Sequence, residues 1–274
     1  MKNSASIFIF CALSCEAKPL IKAWQLKKRS DANHPFTIYS DPARVIVITG
    51  MGKVAMAGAI GYTMALFANP TMPIIVNLGI AGHRHFALGS PILAGKIIDS
   101  ETNRGFYPQL PFATQYPTAT IATHSHPQVQ YLEDYVYDME ATGFYEIAVK
   151  FSSCELIQVV KVISDNAQSP ISVITETAVE SWVNSQLANI QKLIEQLTHL
   201  RSLSLPGDIE RIQQQLSEQF HLTVSHSIKL KALLHRWRLL KGDAELNWVD
   251  ARPKNAKELL SWIEAELDRM DFYL

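Results

Sequence analysis

Five short stretches of this chain set a carboxylate, a serine or a pair of glycines just past an apolar run, where an α/β sheet meets its ligands. Ser14-Cys15-Glu16-Ala17 puts a carboxylate at a strand-to-loop edge, although a merely solvated glutamate would read the same way. Gly50-Met51-Gly52-Lys53-Val54 is a glycine turn between a strand and a helix, so its amides could face an anion or a polar ligand. Its glycine and lysine spacing is not that of a P-loop, and Ala55 stands where a dinucleotide fingerprint needs its third glycine. Asn77-Leu78-Gly79-Ile80-Ala81-Gly82 ends another run, and its glycines let backbone come close to a ligand. Asp138-Met139-Glu140-Ala141 opens a helix with two acids, a pattern that an N-cap with a first-turn acid also produces. Ser164-Asp165-Asn166-Ala167 follows directly on a run that reads as a buried strand.

The elements that must position these residues alternate in type. Apolar, β-rich runs at 7–13, 45–49, 74–78, 118–123 and 156–163 are strand candidates, while 54–68, closed by Asn69-Pro70, and 139–150 read as helices. This is the pattern of an α/β domain with a mixed, mainly parallel twisted sheet covered by helices. After Thr175 the character changes. Residues 176–200 form one helical pattern without Gly or Pro, and the turn Ser204-Leu205-Pro206-Gly207-Asp208 starts a further helix. Stretches 209–220, 228–240 and 256–270 read as amphipathic helices, broken at Lys241-Gly242-Asp243 and Arg252-Pro253-Lys254. The expected organisation is therefore a domain over 1–200 and a helical C-terminal extension over 201–274, docked on the first because its Leu and Trp stripes would otherwise be exposed.

Bulk properties narrow the function classes. With 274 residues, 47% hydrophobic and 19% charged, the chain reads as a soluble globular protein with room for a full core. A formal charge of −1 gives no electrostatic reason for nucleic acid or an anionic membrane as partner, which leaves small-molecule work. Cys11, Cys15 and Cys154 form neither an even disulfide set nor a CxxC pair, which points to a reducing, cytoplasmic setting. Met1, Lys2, the apolar run 7–13 and Ser14-Cys15 mimic a lipoprotein leader, but the run is short and carries Phe and Ile as a buried strand does.

Taken in order, the five stretches resemble the nucleoside phosphorylase superfamily, and within it the methylthioadenosine/S-adenosylhomocysteine nucleosidases. That branch has a first-strand loop with a Glu, a GxGKV turn, an N-x-G-x-A-G turn, a Met-Glu-Ala motif and a final Ser-Asp-x-Ala motif; here these are similar to Glu16, 50–54, 77–82, 139–141 and 164–167. The likeness spans about residues 5 to 200. It implies cleavage of a purine N-glycosidic bond through an oxocarbenium-like ribosyl cation, without a cofactor and in a homodimer or higher homo-oligomer. In that chemistry Asp165, protonated and supported by Ser164, gives a proton to purine N7, which requires a raised pKa. Glu140 binds ribose hydroxyls while the Met139 thioether packs on the sugar. Glu16 orients and deprotonates a water, and Lys161, where the nucleosidases usually carry Arg, steadies that water site.

A phosphorylase instead has to hold a phosphate dianion, which asks for converging arginines. The bacterial hexameric phosphorylases carry Gly-Asp-Pro-x-Arg and Arg-x-Gly-Ser where this chain has Cys15-Glu16-Ala17-Lys18-Pro19 and Asn77-Leu78-Gly79-Ile80, so hydrolysis is favoured. Arg84 is the one cation offered for phosphate binding. Ile80 replaces the usual Ser or Thr, and His124-Ser125-His126-Pro127-Gln128 stands where the nucleosidases carry a base-stacking Phe, so the base clamp is not placed. The Gly79 to Gly82 turn is also similar to that of futalosine hydrolases.

Two His-x-His pairs, His83/His85 and His124/His126, allow a metal site in principle, yet polar loop histidines explain them and no metal is expected. Lys229, Lys231, His235, Arg236, Arg238 and Lys241 lie among Leu and Trp, as expected for a helix that packs its apolar face and solvates the rest. The reading is a purine nucleosidase-like hydrolase acting on a (deoxy)nucleoside or 5′-thio derivative. Its alternatives are a phosphate-using purine nucleoside phosphorylase and a nucleoside-binding regulatory protein without turnover.

Overall fold

The computed structural model describes residues 5–30, 33–68, 70–111, 114, 116–204, 208–241, 246, 251 and 253–271. The leader-like start at 1–4, the stop at Asn69, the turn at 205–207, the break at 242–243 and Arg252 lie outside the described residues. The chain divides into two compact units, Met1–Ser204 and Leu205–Leu274.

In the first unit the elements run β1 (Ile7–Cys11), α1 (Ser14–Trp24), β2 (Lys27–Lys28), β3 (Thr37–Ser40), β4 (Arg44–Ile48), α2 (Lys53–Leu66), β5 (Ile74–His83), β6 (Pro91–Asp99) and β7 (Gly105–Phe106). They continue as β8 (Thr118–Thr123), β9 (Val136–Asp138), α3 (Ala141–Ala148), β10 (Ile157–Asp165), α4 (Glu176–Ser185) and α5 (Leu187–Ser204). The apolar runs are continuous because both faces of the sheet are covered. Phe8 and Phe10 of β1 enter a core with Met56, Ile60 and Phe144, on the side of α2 and α3. Ile7, Ile9 and Cys11 enter the opposite core with Leu20, Val183 and Leu193, on the side of α1, α4 and α5.

β5 is the hub of the sheet. It pairs in parallel with β1 over residues 74–77 and with β10 over residues 75–82, and its last two residues pair antiparallel with β9. From β10 the ladder passes through β6, β8 and β9 back to β5, so these five strands close a ring, while β1, β4, β3 and β2 extend the sheet from the other side of β5. Because parallel strands aligned this way end together, the carboxyl ends of β1, β5 and β10 bring Glu16, Ile80 and Asp165 to one cavity.

Helices α2 and α3 touch through a glycine. A Cβ at Gly143 would lie 2.4 Å from the carbonyl oxygen of Lys53 and under 3.0 Å from two further backbone atoms of that residue. Gly143→Ala gains about 1 kcal/mol of helix propensity, but the overpacking it forces against backbone costs about 1–3 kcal/mol or more. A net loss of stability is expected in urea denaturation, and an equally or more stable variant would contradict this contact.

The second unit contains α6 (Asp208–Gln219), α7 (Val224–Lys241) and α8 (Ala256–Asp271). Leu216, Leu230, Leu234, Trp237, Leu260 and Ile263 are buried together inside it. These Leu and Trp side chains cover one another within the unit. On α7, Lys229 lies 2.8 Å from Glu264, Lys231 3.5 Å from Glu210 and Arg236 3.3 Å from Asp268. The basic helix packs its Leu/Trp face and spends part of its charge on exposed local pairs.

Candidate active site

α1 begins immediately after β1, and Glu16 is its third residue rather than part of a loop. There its carboxylate reaches back to accept from the N–H of Leu13, 2.8 Å away, which satisfies one of the free amides of the helix start. The other oxygen accepts from the N–H of Ile80 at 2.9 Å, which ties α1 to β5. Glu16 is only 2% exposed. Burial pushes its pKa up to about 7, against the opposing pull of the Leu13 amide, the Lys161 ammonium and the Ile80 amide. The site loses the Ser/Thr hydroxyl at position 80 but keeps a donor there, because the donor is the peptide.

Lys161 occupies a core position of β10, in phase with Val159 and Ile163 on the α2/α3 side, and is fully buried. Its ammonium contacts Asp138 at 2.8 Å as an ion pair rather than an aligned hydrogen bond, and lies 3.7 Å from Glu140. Burial alone would lower its pKa, yet Asp138, Glu140 and Glu16 together raise it, so the lysine stays charged. Gly79 is the reason these groups meet: a Cβ there would lie 3.2 Å from both Glu16 Oε1 and Lys161 Nζ. Lys161 therefore offsets the charge of the carboxylates beside the expected water site. Lys161→Met would leave buried carboxylates without their cation, so a loss of about 3–5 kcal/mol of stability is expected in denaturant titration. A variant as stable as the parent would show that the charge cluster does not hold the fold.

Asp138 ends β9 and caps α3: one oxygen accepts from Thr123 Oγ1 at 2.7 Å, the other from the N–H groups of Glu140 and Ala141 at 3.1 and 2.8 Å. Glu140 is 6% exposed and accepts from the N–H of Gly52 at 2.8 Å. Burial raises its pKa, Lys161 opposes this and Asp138 adds to it. That amide is available because Gly50 and Gly52 take φ of 80° and 96°, where L side chains are strained. Lys53, next in the turn, anchors it through Asp99 and Glu101, each at 2.9 Å.

At the far end of the site, Ser164 Oγ donates to Asp165 Oδ1 at 2.6 Å, and Tyr131 donates its hydroxyl to Oδ2. The register of β10 on β5 slips here, pairing Ile163 with Ala81 but Asp165 with Gly82, so Ser164 is the extra residue. Glu16, Ile80, Met139, Glu140, Ser164 and Asp165 all line one cavity of about 250 Å³, together with the apolar Leu13, Met51, Ile171 and Ile174. Gly52, Gly79 and Lys161 stand behind this lining rather than in it.

Arg84 is exposed and is not among the residues lining the cavity. His83 is buried, and its Nδ1 accepts from the N–H groups of His85 and Phe86, both at 3.0 Å, while Nε2 faces Asp134 at 3.2 Å. Burial lowers its pKa, so it is a neutral histidine that shapes a turn. Among the described residues no cluster of three or more His, Cys, Asp or Glu is arranged around a metal position.

Two features escaped the sequence reading. A charge at every-other-residue core spacing in β10 is a signal for Lys161 as a buried ion, and Asp138 is the partner it needs. Tyr131 offers no comparable signal, since its segment has no periodicity.

No protein-family model matches the sequence, and no curated protein matches it by sequence. Solved structures do match. The chain is similar to 5′-methylthioadenosine nucleosidase of Arabidopsis thaliana in apo form, with a TM-score of 0.56 and 14% identity over 70% of this chain and 96% of that one. It is also similar to the 5′-methylthioadenosine/S-adenosylhomocysteine nucleosidase of Colwellia psychrerythraea 34H in complex with adenine (TM-score 0.53, 18% identity, 71% and 94% covered). The S. pneumoniae nucleosidase with a transition-state inhibitor gives a TM-score of 0.53 at 16% identity, with 71% and 99% covered. The chain has the mixed α/β fold of these nucleosidases.

Proposed function

We propose that the protein is an enzyme that hydrolyses the N-glycosidic bond of a purine nucleoside or its 5′-thio derivative. The observation that carries this reading is the pairing, in one cavity, of a buried Glu16 with a pKa of about 7 and a Ser164-held Asp165, with Glu140 and Met139 in the same lining. Glu16 is poised to take a proton from water near neutral pH, and Asp165 to serve the leaving base. Glu140 accepts ribose hydroxyls and faces the ribosyl cation with its charge. No arginine or lysine is among the described residues lining the cavity, and the Lys161 charge behind it is shared by Asp138, Glu140 and Glu16, so a phosphate dianion next to Glu16 has no cation of its own. This favours water over phosphate as nucleophile.

The reading places the enzyme in the cytoplasm, in keeping with its free cysteines Cys11, Cys15 and Cys154, and as a homo-oligomer. Incubation with adenosine, inosine, 5′-methylthioadenosine and S-adenosylhomocysteine, with and without phosphate, tests it through the sugar product. Free sugar at a phosphate-independent rate is expected. Ribose 1-phosphate would establish the phosphorylase, and binding without turnover across the panel would establish a nucleoside-binding protein.

A further inference from the structure

Between β8 and β9 only Tyr131 is buried, with His124, Gln128 and Tyr135 half-buried and the rest exposed. From 125 to 135 Tyr131 alone is buried, at 9% exposure, whereas Val129 and Leu132 are 67% and 77% exposed. That one side chain reaches the carboxylate expected to serve the purine. Ser164, its chain neighbour, holds Oδ1 of Asp165 to the strand, which leaves Oδ2 for a base, and Oδ2 is where the Tyr131 hydroxyl donates. The approach depends on Gly82, where a Cβ would come within 2.5 Å of Asp165 Oδ2 and 2.8 Å of the Tyr131 ring. Other ties of the segment are a hydrogen bond between Ser125 and Glu101, the Tyr131 ring edge-on to Tyr137 at 5.4 Å, the Glu133 N–H donated to Tyr137 at 2.9 Å, and Asp134 facing His83 at 3.2 Å.

From this geometry we infer that Tyr131 is a positioning and selectivity residue: its hydroxyl occupies the base-facing oxygen of Asp165, and a purine enters by displacing it and releasing the segment 125–135. The inference rests on the purine reading of the site, but its first half concerns this chain alone. A phenol in this place is a polar stand-in for the base. It keeps a buried carboxylate satisfied while the cavity is empty. A ligand that cannot itself bond to Oδ2 would leave that oxygen unpaired on displacing Tyr131, so entry favours bases with a polar edge toward Asp165. With the hydroxyl and a base competing for Oδ2, base binding and segment order oppose each other, and the coupling is reciprocal.

Hydrogen exchange over residues 125–135 and calorimetric titration with adenine as probe test this on the full chain. Tyr131→Phe keeps the ring and removes only the hydroxyl. It should speed exchange of the free segment by about twofold to tenfold, the range for an intramolecular hydrogen bond. Asp165→Ala should do the same, without adding to Tyr131→Phe in the double variant. Adenine should accelerate exchange in the parent protein, and Tyr131→Phe should bind adenine more tightly. Unchanged exchange in Tyr131→Phe, additive effects in the double variant, slower exchange on adding adenine, or weaker adenine binding by Tyr131→Phe would each overturn it. If adenine binds neither protein while both substitutions loosen the segment alike, the latch stands and the purine reading falls.

Discussion

Asp165→Asn is expected to lower kcat by about 10²–10⁴-fold while the protein remains folded, the range for loss of a general acid. The substitution conserves volume and can still accept from Ser164, which holds Oδ1 at 2.6 Å, so the strand end should not move. What it removes is the capacity to pass a proton to the leaving base. Glu140→Gln should fall by a similar order for a different reason. At about 4 Å and an effective dielectric of ~20, one charge against the ribosyl cation is worth about 4 kcal/mol, of which solvent and neighbouring charges leave a part. Steady-state kinetics beside circular-dichroism melting separate these losses from unfolding. Near wild-type rates in either folded variant would remove that residue from the chemistry.

Glu16→Gln should abolish hydrolysis outright, because a neutral amide cannot take a proton from water, and added phosphate should restore nothing. The parent enzyme should gain activity as pH rises through about 7, where the buried carboxylate ionises. Stability should move the other way. The folded pKa lies above the unfolded one, so the folded state binds more protons between the two, and Glu16 stabilises fully only below about 4.5. Between about 4.5 and about 7 its contribution is lost, by roughly 3 kcal/mol. Denaturant titrations of the parent and Glu16→Gln across this window should diverge by that order, with the variant the flatter of the two. Parallel stability profiles, or an active Glu16→Gln enzyme, would contradict both the buried charge and its role as base.

How much of this was legible in the sequence depends on how local each signal is. The strands at 44–48, 118–123 and 157–165 lie close to their predicted places because apolar residues fill both faces, so composition alone marks them. β5 runs on to His83, past the predicted end at 78, because its glycines stay in the ladder with β10. β6 was missed: it starts at Pro91 and is interrupted by Gly95 and Lys96, both only half-buried. α1 was missed because it follows β1 almost without a turn and contains Pro19, a residue that usually argues against a helix interior. The expected single helix at 176–200 is two, α4 and α5, parted at Gln186, whose amide donates to the carbonyl of Gly89 at 3.0 Å. Nothing in the local sequence marks that break. In the site, the residues read from motifs come together, while the Asp138–Lys161 pair and Tyr131 depend on contacts between segments far apart in the chain.

The donors that hold the two buried glutamates are main-chain amides: Leu13 and Ile80 for Glu16, and Gly52 for Glu140. No side-chain substitution short of proline deletes an amide, so the polar frame of the cavity presents a small mutational target. Drift at positions 13 and 80 is tolerated so long as the backbone path survives. Such a frame can persist while the letters around it are replaced, which fits a fold shared at 14–18% identity and a sequence that matches no family model.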